Sequence, residues 1–421
     1  MNPTTVQLMG AALFAVALLH TFSTKFFERL AHSRPAHAGL WHFLAEVEVV
    51  FGFWALVLVL GIFLVEGKKA ATTYVDTRNF TESLFVFAIM VTAASKPIIQ
   101  LAGQAVRTIV KLLPLPGAMA HTLVVLSMVP LLGSFITEPA AMTLAALLLR
   151  DGAMQQQLPE RNKYLLLGVL FVNVSIGGTL TPYAAPPVLM VATAWGWDLH
   201  HMIGHFGWKA ALAVLVNAAL AVLWCRRGLT GLSVHADAGD QRPPLLVTGI
   251  HLAFLAGVVV FAHHPAVFMG LFLFFLGFTH AYERYQSPLV LREGLLVAFF
   301  LAGLVVLGGQ QQWWLEPLLM SMSADAVYLG STALTAITDN AALTYLGSLV
   351  PGLSDEFKYA LVAGAVTGGG LTVIANAPNP AGASMLKDRF QDSSIAAGGL
   401  FLGALPATLV ASLAFKFLGN W

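Results

Sequence analysis

Charge is scarce in this chain: 10% of its 421 residues are Asp, Glu, Lys or Arg, against roughly 25% in an ordinary soluble domain. That shortage excludes a large soluble domain. The 22 basic and 21 acidic residues leave a net charge of +1, which excludes the electrostatic footprint of a nucleic-acid binder or of a strongly acidic partner. Cysteine occurs once, as Cys225 beside Arg226 and Arg227, so no intrachain disulfide exists and no catalytic role is assigned to the thiol. No basic stretch precedes the first apolar run, and residues 1–19 therefore read as a retained span rather than a cleaved signal peptide. Neither His-Glu-x-x-His nor Gly-x-Ser-x-Gly is present, so an intramembrane hydrolase has no motif here; the chain reads as a non-enzyme without cofactors.

What fills the space is apolar. Hydrophobic residues make up 57% of the sequence, and runs of about 20 residues, long enough to cross a hydrocarbon core roughly 30 Å thick, recur along nearly all of it. The expected fold is an all-α polytopic membrane protein of about 10–12 segments. Spans are expected over residues 6–30 and 41–65, followed by a polar stretch at 66–81. Residues 82–113 exceed one crossing and contain Lys96-Pro97, which predicts a kinked helix. Residues 118–149 are interrupted at Gly133-Ser134 and at Glu138-Pro139, predicting two half-helices that meet at a polar tip. A second break, residues 177–182 with Pro186-Pro187 behind it, admits no regular helix and should line a protein-covered or water-filled site. Residues 228–244, with His235, Asp237, Asp240 and Arg242, form the one good linker.

The tip motif occurs twice. Residues 136–143 read Ile-Thr-Glu-Pro-Ala-Ala-Met-Thr and residues 337–344 read Ile-Thr-Asp-Asn-Ala-Ala-Leu-Thr, five of eight positions being identical. Three other landmarks align in the same order. Met9-Gly10 with His20 matches Met269-Gly270 with His280, Glu46 with residues 54–61 matches Glu293 with residues 301–308, and residues 177–181 match residues 368–372. The offset falls steadily from 260 through 247 and 201 to 191, as trimmed loops in a duplicated half would make it. The expected organisation is a first repeat over residues 1–227, a linker with an unpaired connecting helix over 228–263, and a second repeat over 264–421. Matching broken helices in two halves, inverted by the odd connecting span, mark secondary transporters with a midplane site.

Glu138 and Asp339 are the leading site residues. A carboxylate deep in a spanning segment costs roughly 2.5–3.5 kcal/mol on insertion scales, so it persists where it faces a cavity or a partner. Burial disfavours the charged form of an acid in general, which lets a proton compete with a metal cation. Thr137, Thr143, Thr338, Asn340 and Thr344 surround the two acids in sequence and supply oxygen ligands for a hard monovalent cation. The competing reading is that Glu138 and Asp339 only cap half-helices. Gly177, Gly178, Thr179 and Thr181, and in the second half Gly369, Gly370, Thr372, Asn376 and Asn379, are expected to line the site, against a reading as close helix packing. Lys96 is a candidate counter-ion for Glu138 or a snorkelling lysine. Glu46 and Glu293 fit helix-start acids, His20 and His280 fit packed helix-end histidines better than proton relays, and His200, His201 and His205 lack the carboxylates of a transition-metal site.

These motifs resemble the ion transporter superfamily, which includes sodium-coupled dicarboxylate symporters, arsenite efflux pumps and D-type sodium/proton antiporters. The sequence is most similar to the bacterial putative sodium/proton antiporter family, through residues 136–143, 337–344 and 368–380. The resemblance implies a homodimer in the bacterial inner membrane, with a scaffold part and a transport part that moves like an elevator and carries two re-entrant hairpins. In the dicarboxylate symporters the hairpin tips resemble Ser-Asn-Thr. Here they read Thr137-Glu138-Pro139 and Thr338-Asp339-Asn340, and two acids would repel a dianion. The expected activity is therefore sodium (or lithium)/proton antiport, with small ions and membrane lipid as the partners; the alternative is a proton- or sodium-coupled anion or metabolite transporter on the same fold.

Overall fold

The computed structural model describes residues 3–155, 158–229 and 243–418, among which there is no β-strand. Lipid offers backbone groups no partner, so each segment satisfies its own N–H and C=O groups in a helix. The expected first span is two helices, α1 (Thr5–Thr21) and α2 (Thr24–Ser33), turned by 69°. The hydroxyls of Thr21 and Ser23 bond back to the carbonyls of Leu18 and Leu19 and compete with helix continuation at the turn. The second expected span is likewise divided, into α3 (Ala38–Ala45) and α4 (Val47–Glu66), by the extended backbone of Glu46. After α5 (Lys68–Asp76), the predicted kink is present: α6 (Thr81–Ala93) and α7 (Lys96–Leu112) meet at 65°, with Pro97 in the first turn of α7, where it removes no helical bond.

Next come α8 (Gly117–Ile136), α9 (Glu138–Asp151), α10 (Glu160–Gly177), α11 (Pro186–Trp195), α12 (Leu199–Met202) and α13 (Trp208–Cys225). The linker expected at 228–244 falls largely on residues 230–242, which lie outside the described residues, as do His235, Asp237, Asp240 and Arg242. Beyond it are α14 (Leu245–Val260), the compact connecting span, then α15 (Pro265–Ala281), α16 (Leu291–Gly308), α17 (Gln312–Met320), α18 (Ala324–Thr335), α19 (Asn340–Ser348), α20 (Asp355–Gly368), α21 (Asn379–Leu386) and α22 (Ala397–Phe417). Six helices among the described residues are long and apolar enough to cross a membrane, or eight if each bent pair is one span; α11, α14 and α15 are shorter apolar helices.

The helices pack as two groups with few contacts between them. In one, α4 lies against α1 and α16, while α6 joins α14, α15 and α16. Edge-to-face aromatic pairs knit this group, among them Phe51 with Phe14 and Phe300, Phe85 with Phe268, and Phe87 with Phe272. In the other, α10 packs along α8, α13 and α22, and α20 packs along α18. Here polar side chains pin the helices: buried Asn173 donates to the carbonyls of Leu126 and Val214, and Asn217 donates to Asn173 and to the Ala407 carbonyl. Two contacts are reciprocal between the halves. α9 packs on α21, and α19 packs on α11, so the arm after each acidic tip meets the helix after the opposite glycine break.

The two helices that carry the matched stretches 54–61 and 301–308, α4 and α16, also touch directly. A Cβ at Gly303 would stand 2.3 Å from the Gly52 backbone nitrogen. Gly303→Ala is therefore expected to push α4 and α16 apart and to cost about 1–3 kcal/mol, as overpacking does, seen as a lower thermal midpoint of the purified protein in detergent. Gly398→Ala, where a Cβ meets nothing within 4 Å, should leave the midpoint in place.

Candidate ion-binding site

The first acidic tip is made by one residue. α8 runs unbroken through Gly133-Ser134, and the chain reverses at Thr137, whose φ of 72° and ψ of 152° lie where a β-branched residue rarely goes. The reversal is held from several sides. The Ser134 hydroxyl donates to the Gly177 carbonyl at 2.7 Å and accepts from the Leu180 N–H at 2.9 Å, and the Ser134 carbonyl accepts the Thr181 hydroxyl at 2.7 Å. Tip and glycine break are thus one zipped unit. Glu138 opens α9 with its side chain fully buried, where the positive end of the helix dipole favours an anion. A Cβ at Gly178 would lie 2.5 Å from Glu138 Oε1, so only glycine leaves the carboxylate its place.

The second tip is built differently. Asp339 is half-buried and caps α19 through Oδ1, which accepts the N–H groups of Ala341 at 2.8 Å and Ala342 at 3.3 Å. The Asn340 N–H donates to the Ala375 carbonyl at 3.1 Å, and the Asn376 side chain, one residue further, donates to Glu138 Oε2 at 2.9 Å. One short loop therefore ties both tips together. The breaks meet as well: a Cβ at Gly369 would stand 2.1 Å from the Ser175 hydroxyl and one at Gly370 would stand 2.4 Å from the Val172 nitrogen, both on α10.

Around this junction lies a set of buried oxygens without donors. Thr137 Oγ1, Glu138 Oε1, Asn340 Oδ1, Asn376 Oδ1 and Asn379 Oδ1 have no hydrogen-bond partner among the described residues. The amide nitrogens of the same asparagines are engaged: Asn379 holds the carbonyls of Gly369 and Thr372, Asn376 holds Glu138, and Asn340 reaches the Ser175 hydroxyl at 3.4 Å. Each amide is fixed by its donor end and leaves its acceptor end uncommitted. Acceptors of this kind are costly to bury alone, and hard cations take such oxygens as ligands.

The other expected residues fall into place around the junction rather than in it. Most threonine hydroxyls hold backbone: Thr179 bonds to Ile176, Thr181 to Ser134, Thr344 to Ala341 and Thr372 to Ala336. Thr143 is half-buried along α9, and Thr338 lines an apolar cavity of about 350 Å³ between α1, α17 and the second tip. Gly177 closes on the Pro130 carbonyl. Lys96 stands at the bend before α7, a helix that packs against α8 and α9. Glu46 forms a 2.6 Å ion pair with Arg292. His20 accepts from the Trp54 indole and donates through Nε2 to the Leu44 carbonyl, a packed neutral ring, whereas His280 is exposed. Among the described residues, no group of three metal-ligating side chains includes His200, His201 or His205. Ser134, Asn173, Ser175 and Asn217 were visible in the sequence only as single polar residues in apolar runs.

The apolar helices, six of them long enough to cross a membrane among the described residues, mark a multi-pass membrane protein. Its family follows from sequence: the family described as putative Na+/H+ antiporter matches residues 5–418, and the chain belongs to it. No curated protein matches the chain.

The backbone at Thr137 supplies a test of the tip geometry. Strain of this kind is about 1–3 kcal/mol, against roughly 0.5–1 kcal/mol for the added flexibility of glycine, so Thr137→Gly is expected to raise the thermal midpoint. A lowered midpoint would show instead that the hydroxyl stabilises the tip more than the backbone strains it.

Proposed function

We propose that the protein exchanges sodium, or lithium, for protons across the bacterial inner membrane, as a homodimer working by elevator-type alternating access. The observation that carries this reading is the set of donorless oxygens gathered around two acids that one loop ties together. Glu138, Thr137, Asn340, Asn376 and Asn379 ligate the cation, with Asp339 as the second acid. Unwound backbone and side-chain oxygens of broken helices are the usual means of holding such an ion.

Proton coupling follows from the Asn376–Glu138 contact. The ionised carboxylate is acceptor-only and receives the Asn376 amide N–H. A proton on Glu138 makes it a donor, and the amide oxygen of Asn376 becomes its acceptor. One proton thereby removes a negative charge and an oxygen ligand together, so proton and cation exclude one another.

The two-group packing supports the elevator reading, since a face with few contacts slides more readily than an interlocked one. The reciprocal pairs α9–α21 and α19–α11, and the α4–α16 contact, support two inverted repeats over residues 1–227 and 264–421. Antiport takes small ions as substrates and needs no cofactor.

Proteoliposomes carrying an interior-acid gradient test the reading. Sodium or lithium should dissipate the gradient, and Glu138→Gln and Asp339→Asn should each abolish that response. Asn376→Ala is expected to raise the half-saturating sodium concentration by about tenfold or more, the equivalent of losing a hydrogen bond to a charged group worth roughly 1.5–3 kcal/mol. Proton movement indifferent to cations but dependent on citrate or succinate would overturn the reading.

A further inference from the structure

A groove of about 740 Å³ runs between α10, α13 and α22, and none of the residues of the acidic junction lines it. Its walls are apolar, with Leu165 and Val169 from α10, Leu220 from α13 and Leu402 from α22. Gly399 and Gly403 of α22 let that helix close on α10, since a Cβ at either would run into Tyr164, so the floor of the groove is sealed. One end of the groove has a different chemistry. The Arg161 guanidinium lies over the Trp224 ring, 5.1 Å from its centroid, and Arg226 and Arg227 follow at the end of α13.

All three arginines are exposed, and none has an ion-pair partner among the described residues. The nearest acid in sequence, Glu160, is already engaged by the Lys163 ammonium and the Gln391 N–H. A tryptophan beside arginines at the end of an apolar helix is the arrangement found at the headgroup level of a bilayer. An apolar channel that ends beside three exposed arginines without an ion-pair partner among the described residues matches one molecule in shape and charge together: a lipid with an acyl chain and an anionic head.

We propose that this groove is a binding site for a phospholipid of net negative headgroup charge, its acyl chain along the α10–α13–α22 wall and its phosphate held by Arg161, Arg226 and Arg227. A second copy of the chain fits less well, because an isologous contact would bring the same arginines against one another. The site is independent of the cation reading, and its occupancy is measurable without transport. It bears on transport through position, since α10 ends in the glycine break beside Glu138 and α13 and α22 are pinned to it by Asn217.

Trp224 reports on the groove directly. Full-length protein is placed in bilayers of phosphatidylcholine containing increasing amounts of dibrominated phosphatidylglycerol or dibrominated phosphatidylcholine, and the emission missing from Trp224→Phe is taken as the Trp224 signal. That signal should be quenched at a several-fold lower fraction of the anionic lipid. Arg161→Gln and Arg227→Gln should each reduce the preference about fivefold, the equivalent of about 1 kcal/mol per basic residue at an anionic surface. Both side chains are exposed, so the variants are expected to fold, with the far-ultraviolet helical signal as the check. Equal quenching by the two lipids would mean ordinary boundary lipid and would overturn the proposal. So would an absence of quenching by either lipid, which would place a second copy over the groove. Relief of quenching by millimolar inorganic phosphate would reduce the site to a free-anion site and would also overturn it.

Discussion

Backbone that leaves the helix inside a membrane has to be satisfied by protein, and the rest of this structure depends on how that is done. At the first tip the work falls to Ser134, which bonds through both its hydroxyl and its carbonyl to the opposing glycine break. At the second it falls to Asp339, Asn379 and Thr372, which cap α19 or hold the carbonyls of residues 336, 369 and 372. Once those groups are paired, what remains unpaired is a set of side-chain oxygens, the carbonyl and carboxylate oxygens of Glu138, Asn340, Asn376 and Asn379 with the hydroxyls of Thr137 and Thr335. The site is the remainder left when irregular backbone has been made tolerable. This is also why threonines that look like ligands in the sequence act mainly as struts.

The two helix groups solve the packing problem with different chemistry. Large rings interlock α4, α6, α15 and α16. Around the junction, glycine lets backbones approach and buried asparagines bridge several helices at once. Rings give a surface that is broad and tolerant of displacement, whereas amide bridges fix one register. An ion site needs its ligands held within tenths of an ångström, and the proposed one lies in the group that has the fixed register.

Much of this could be read from residues alone. The all-helical class follows from apolar run length, the bend before Lys96-Pro97 from proline geometry, and the two tips from acids that would otherwise be expensive to bury. The breaks at Phe22-Ser23 and at Glu46 were not legible, because the polar residues there read equally well as the end of a continuous span, and only local hydroxyl bonding and an extended backbone end the helices. Gly133-Ser134 misled in the other direction. Glycine and serine lower helix propensity, but α8 continues through them because Gly133 allows Ala141 of the returning arm to pack closely and Ser134 is needed as a crosslink.

The sequence by itself determined the class of molecule, the likeness of the two acidic motifs and the positions of the buried acids and helix breaks. Those are properties of composition and order, and physics acts on them locally through burial cost, helix breaking and oxygen donors. Only the tertiary structure decided that the loop of Ala375 and Asn376 joins Glu138 to the second tip, that Gly178 makes room for the carboxylate, and that three asparagine oxygens stand free while most threonine hydroxyls around them are taken by backbone. The reason is that a hydrogen bond is exclusive. Which oxygen is left for an ion depends on which donors arrive from residues some two hundred positions away, and no local reading of the chain contains that count.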